Sequence, residues 1–133
     1  MRTALDSSVL LLLSRKQPGW EVWRDRLQFA ASEGELSISP IAFAEFSIAY
    51  SQVEAVQADL DLLNVYYDPI TPAAAYLAGQ IFLRYRRNGG PRLNLIPDFL
   101  IAAHASVQAD RLAALDRGYI RTYFPSLALL GEG

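Results

Sequence analysis

Short apolar runs alternate with longer stretches of helical period along this chain. Arg2 to Leu5, Leu36 to Ser39, Val65 to Tyr67, Leu112 to Leu115 and Leu127 to Leu130 have the length and apolar density of buried strands. The segments between them read as helices. Ser7 and Ser8 can cap a helix running through Leu13, and Pro18-Gly19 breaks the chain before a helix from about Trp20 to Ala31, with Trp20, Trp23, Leu27 and Ala31 on one stripe. Ser39-Pro40 opens a helix to about Tyr50, a second spans about Val53 to Leu63, and Thr71-Pro72 opens another to about Arg87. Asn88-Gly89-Gly90-Pro91 is a loop, and Pro97-Asp98 starts an apolar helix to about Ala109. Strands alternating with helices predict the α/β class: one domain over residues 1–133, with a central, mainly parallel sheet flanked by helices.

Composition narrows the environment. The chain has 133 residues, the usual size of one domain, with 52% hydrophobic and 20% charged residues, which excludes disorder. There is no cysteine, so disulfides and thiolate metal sites are impossible and any metal must sit on oxygen or on the one histidine. The run Val9 to Leu13 is far shorter than the roughly 20 residues of a membrane span. Asp6 precedes that run and no small-residue cleavage site follows it, so the chain is expected to be cytoplasmic. The net charge of −2 gives no support to a nucleic-acid binder at first sight. If four of the 14 acids face a cation, the remaining ten stand against 12 Lys and Arg, leaving +2 elsewhere.

Four acids stand apart from the rest. In open α/β sheets, sites form beyond the carboxyl ends of the strands. Asp6 directly follows Thr3-Ala4-Leu5, and Asp116 directly follows Leu112-Ala113-Ala114-Leu115. Taken singly, either fits a helix N-cap or first-turn acid equally well. Glu45 lies among Ile41, Ala42, Phe43, Ala44 and Phe46, where a solvated helix face is not expected; it points inward, toward a cation or a core arginine. Asp98 occupies the first turn of an apolar helix, where the helix dipole alone favours a negative charge. The cap readings do not account for the set. Carboxylates gathered at one end of a sheet raise one another's pKa unless a cation compensates them, and Mg²⁺ or Mn²⁺ prefers oxygen ligands. Such a centre hydrolyses phosphodiesters with a metal-activated water.

At these residues the sequence resembles the PIN-domain family, most closely the small toxins of bacterial VapBC toxin–antitoxin modules. The resemblance runs over roughly residues 1 to 130. It is carried by Leu5-Asp6-Ser7-Ser8-Val9-Leu10, Ser39-Pro40-Ile41-Ala42-Phe43-Ala44-Glu45, Ile96-Pro97-Asp98 through His104-Ala105, and Leu115-Asp116-Arg117-Gly118-Tyr119 followed by Tyr123-Phe124-Pro125. It implies a Mg²⁺- or Mn²⁺-dependent endoribonuclease, usually dimeric, held inactive by an antitoxin whose C-terminal segment enters the active-site groove. Asp6, Glu45, Asp98 and Asp116 would form its acidic cluster, with Asp6 and Asp98 as direct metal ligands, Glu45 and Asp116 as further candidates, and Ser8 supporting the first Asp. Ala114 departs from the family, which often has Thr or Ser two residues before the last acid.

His104, six residues after Asp98, falls about 120° from it around a helix and is expected to be structural. Arg117, Arg86, Arg87 and Arg92 are the candidate contacts to RNA phosphates. Trp20 and Trp23 read as packing or partner contacts. Two other function classes remain open: a degenerate PIN module that binds RNA or protein without cleavage, and an α/β phosphohydrolase. The last needs a second acid two residues after its nucleophilic aspartate, where this chain has Ser8.

Overall fold

The computed structural model describes residues 1–90 and 96–131. Strand β1 (Thr3–Leu5) leads into α1 (Ser7–Ser14) and α2 (Trp20–Glu33), β2 (Leu36–Ile38) into α3 (Pro40–Ser47) and α4 (Val53–Leu62), and β3 (Val65–Tyr67) into α5 (Pro72–Arg87) and α6 (Ile96–Gln108). Then come β4 (Arg111–Ala113), α7 (Gly118–Tyr123) and β5 (Ala128–Leu129). The strands lie in the order β3-β2-β1-β4-β5, every neighbouring pair parallel, with Thr3 opposite both Leu36 and Arg111. In β1 and β2 every residue is buried whichever way it points, so helices cover both faces of the sheet. Strand order reverses at β1 and β4, the place where open parallel sheets form their sites.

The α/β reading and the parallel sheet stand, while element ends move by a residue or more. Asp6, not Ser7 or Ser8, caps α1: its backbone is extended and its side chain accepts from the Ser8 amide. On α2 the buried stripe is Trp23, Leu27 and Ala30, and Ala31 faces solvent. Helix α3 stops at Ser47, whose hydroxyl donates to the Ala44 carbonyl, and the chain turns through Tyr50. The short α7 was not foreseen, because Arg117 precedes it without a side-chain cap. Gly34 is required by closeness: a Cβ there would sit 1.8 Å from the Met1 carbonyl oxygen.

Two contacts fix α2 and α6 against the sheet. Arg111 donates to Thr3 Oγ1 at 2.8 Å and to Glu33 Oε1 at 2.7 Å, fastening the end of α2 to the amino ends of β1 and β4. His104, buried in α6, has its Nε2 2.9 Å from Asp68 Oδ2, and Gln108 donates to the same oxygen at 3.1 Å. The single histidine is thus a structural tie between α6 and the connection after β3. Around Phe99 the rings of Phe82, Tyr85, Tyr119, Tyr123 and Phe124 pack with centroids 5.5 to 6.1 Å away, mostly edge-on or tilted. Among the described residues no helix is long and apolar enough to cross a membrane.

Two stability outcomes follow. His104→Ala leaves a cavity and an Asp68 oxygen short of a partner; urea unfolding should show a loss of about 2 to 4 kcal/mol. Ser37 Oγ, on the interior strand β2, is buried without a hydrogen-bond partner. Ser37→Ala should therefore keep or raise stability, by up to about 1 kcal/mol. A marked loss for Ser37→Ala would mean that its hydroxyl is satisfied after all.

Candidate active site

The chain delivers its four acids to the carboxyl end of the sheet by four different routes. Asp6 is the first residue after β1, and its amide donates to the Ala113 carbonyl of β4 at 2.9 Å. Asp116 follows β4 by three residues, where its Oδ1 accepts from the Gly118 amide at 3.2 Å. Glu45 projects from α3, the helix that leaves β2, and Asp98 from the first turn of α6. Asp6 is buried, Glu45 and Asp98 are half-buried, and Asp116 lies exposed at the rim.

Two adjacent serines hold two of these acids. Ser7 Oγ donates to Glu45 Oε1 at 2.8 Å. The Ser8 hydroxyl donates to Asp6 Oδ2 and accepts from the Leu115 amide at 3.2 Å, so one hydroxyl joins the first acid to the segment that carries the last. Ala114 is fully buried and offers no hydroxyl; the support comes from the α1 side instead. Ser8 was foreseen, but Ser7 was not, since nothing in the spacing of Ser7 and Glu45 shows that they meet.

Charge and burial act together on this group. Burial pushes the Asp6 carboxyl upward; hydrogen bonds from Ser8 and the Ser7 amide oppose the shift, and the Asp116 charge adds to it. Asp98 is pushed up to about 6, first by burial and then by the charges of Asp6, Glu45 and Asp116. Tyr119 carries a phenol that burial, together with the charges of Asp6, Asp98, Asp116 and Glu45, holds protonated. Its hydroxyl donates to the Asp98 carbonyl oxygen at 3.5 Å, which puts a neutral donor among four acids. Tyr119 was read only as part of a motif; its place depends on the unforeseen α7.

Among the described residues no three acidic or histidine side chains are already closed into a ligand cage. The mutual effect of the acids on Asp98 nevertheless shows that they share one field, since charges act on each other well beyond ligand distance. Hard oxygen donors that repel one another, partly desolvated and loosely spaced, fit a small divalent ion that keeps several waters. A cavity of about 850 Å³ at the β3 edge, lined by Phe43, Leu60, Tyr66 and Tyr67 among others, includes none of the four acids.

The arginines behave less uniformly. Arg117 is adjacent to Asp116 in sequence, but its guanidinium donates to the carbonyls of Ala114 at 3.2 Å and Leu130 at 2.9 Å and lies over Trp23. These contacts give it a structural role beside the phosphate contact expected from adjacency. Arg86 and Arg87 are exposed at the end of α5, where Arg86 donates to the Gly90 carbonyl at 2.9 Å. Arg92 lies outside the described residues.

The raised Asp98 carboxyl has a measurable consequence without metal. A folded-state pKa above the ordinary 3.8 contributes stability below that value, and the contribution is lost as pH rises through about 6. In EDTA, Asp98→Asn should therefore raise the melting temperature relative to wild type more at about pH 7.5 than at about pH 4. A difference that stays constant over this range would mean that neither burial nor the other acids raise the Asp98 carboxyl.

Comparison with known proteins agrees with this architecture. A model of the PIN domain matches residues 3–125. The chain is 36% identical over 112 residues to Ribonuclease VapC10 of Mycobacterium tuberculosis, in strains CDC 1551 and H37Rv, a match that covers 84% of this chain and 80% of that protein. In shape it is similar to VapBC2 of Rickettsia felis bound to a promoter DNA fragment, with a TM-score of 0.74, 22% identity and 97% of each chain covered. VapBC-1 of nontypeable Haemophilus influenzae gives a TM-score of 0.70 at 20% identity, covering 97% of this chain and 96% of that one. At such identities the structural likeness speaks for the fold, while the family match and the 36% relative speak for descent. The chain belongs to the PIN-domain family.

Proposed function

We propose that this chain is a Mg²⁺- or Mn²⁺-dependent endoribonuclease, the toxin of a toxin–antitoxin pair. The observation that carries the reading is the shared field of Asp6, Glu45, Asp98 and Asp116 at the point where strand order reverses. The similarity to a protein named a ribonuclease supports RNA as the substrate, and the similarity to VapBC structures supports an antitoxin as the partner. A second copy of the chain is the other expected partner, and exposed apolar side chains such as Phe29 and Tyr76 are the kind of surface that partners cover.

In this reading Asp6 and Asp98 hold the cation, with Glu45 and Asp116 completing the acidic surround. The bound ion would supply charge neutralisation for the phosphate and acidify a water. The protein's own groups do the rest. Ser8 orients the Asp6 carboxylate and Ser7 orients Glu45, so neither acid has to be ordered when substrate arrives. Tyr119 stays protonated and, by exchanging its long bond to the Asp98 carbonyl, can donate to a phosphate oxygen, which the carboxylates cannot. The exposed Arg86 and Arg87 add positive charge at the end of α5.

A binding module without cleavage is favoured by one observation: Ala114 offers no hydroxyl to the segment that carries Asp116. One assay separates the two. With Mn²⁺, labelled RNA should be cut internally, and EDTA, Asp6→Asn or Asp98→Asn should reduce cutting to background. Ser8→Ala should slow it roughly 10- to 100-fold, as loss of a ligand-orienting group does. RNA bound but left intact at every metal concentration would establish the binding module.

A further inference from the structure

Positive charge is collected on two tryptophans near the start of α2. Lys16 Nζ lies 5.5 Å and Arg24 Cζ 5.2 Å from the ring centroid of Trp20. Arg26 Cζ lies 4.8 Å and Arg117 Cζ 5.5 Å from that of Trp23. Three of the chain's 12 basic residues thus lie at or just before the first half of α2, and a fourth, Arg117, reaches its Trp23 from ahead of α7. Glu21 lies in the first turn of the same helix, and Asp25 pairs with Arg24 at 3.2 Å. Lys16 has φ +48°, a left-handed backbone that costs a side chain-bearing residue about 1 to 2 kcal/mol. The connection between α1 and α2 keeps that conformation and with it the ammonium over Trp20.

This rail stands at the same end of the sheet as the acids. Glu33, the last residue of α2, is bonded to Arg111 at the amino end of β4. A helix of 14 residues rising about 1.5 Å per residue spans roughly 20 Å, so Trp20 is carried back toward the carboxyl ends of the strands. Arg117 completes the link, because it directly follows Asp116 and its guanidinium rests on Trp23. A polynucleotide with one phosphate at the four acids has its neighbouring phosphates repelled by them, and must leave across positive surface. The rail is the positive surface that begins there. Cations already held against ring faces lose little freedom when a phosphate arrives, and Lys16 and Arg24 are exposed to meet one.

We infer that the Lys16–Trp20–Arg24 and Trp23–Arg26 rail binds the single-stranded RNA flanking the cleaved phosphodiester, its phosphates on Lys16, Arg24 and Arg26. The inference rests on the ribonuclease reading above. It is tested without cleavage, in EDTA, by anisotropy of a fluorescein-labelled unstructured RNA of about 16 nucleotides. Titrations from roughly 50 to 200 mM salt give the affinity and the salt slope. Lys16→Gln with Arg24→Gln should weaken binding on the order of tenfold and reduce the slope by about 1.4, two contacts at about 0.7 each. Both positions are exposed, so the melting temperature should stay near that of wild type; Arg24→Gln alone, with half the change in slope, replaces the pair if it does not. RNA should also perturb the tryptophan fluorescence of wild type and do so less in Trp20→Phe.

Wild-type binding with an unchanged double variant overturns the rail and leaves the ribonuclease reading intact. No RNA binding by wild type in EDTA at any salt overturns the rail alone; the ribonuclease reading falls only if labelled RNA is also left uncut with Mn²⁺. If the double variant binds RNA normally but loses binding to a polyglutamate peptide, the rail serves an acidic protein segment and the inference is wrong.

Discussion

Like charges crowded at one end of a sheet are the constraint to which the rest of this structure answers. At an effective dielectric near 20, two carboxylates roughly 6 Å apart repel by about 3 kcal/mol, comparable to what a buried side chain contributes. The chain holds its acids together by placing each on a different rigid support. Asp6 is fixed by a backbone bond from β1 to β4, and Glu45 by the Ser7 hydroxyl. Asp98 is fixed by its neighbour Phe99, whose ring is enclosed by Tyr85, Tyr123 and Phe124. A packed aromatic cluster next to a carboxylate has two effects: it anchors the helix start and removes water from the acid. The same packing that holds Asp98 in place therefore raises its pKa.

What the residues disclose in advance depends on how local the cause is. Strand runs and the caps Ser39-Pro40 and Thr71-Pro72 were readable because they are set by near neighbours, and both caps sit where expected. The places of the four acids were readable because each adjoins or interrupts an apolar run. The ties between them were not. Ser7 meets Glu45 across 38 positions of chain, and His104 meets Asp68 across 36, so only the folded sheet shows these pairs. Arg117 is a similar case: adjacency to Asp116 says nothing of its contacts to Trp23 and Leu130, which only the fold shows. Tyr119 was hidden for the same reason, since α7 lacks the side-chain cap that would have announced it.

Net charge is a poor summary of such a molecule. A value of −2 averages an acidic cleft and a basic helix start that lie at the same end of the sheet. A polyanion approaching this end meets opposite signs within one contact surface: attraction along α2, and repulsion at the cleft unless a cation is present. In the proposed reading, a metal at the acids would be the condition for seating a phosphate there, while the inferred contact along α2 would need none.

The first turn of α1 deserves a mechanical description. Through Asp6, Ser7 and Ser8 it is bonded at once to β4, to α3 and to the Leu115 amide ahead of α7. Three segments distant in sequence are therefore geared to one turn of helix. A tilt of that turn cannot misplace a single acid; it shifts the Asp6, Glu45 and Asp116 segments together. Whatever leans on α1 from outside acquires leverage over the whole cleft without entering it.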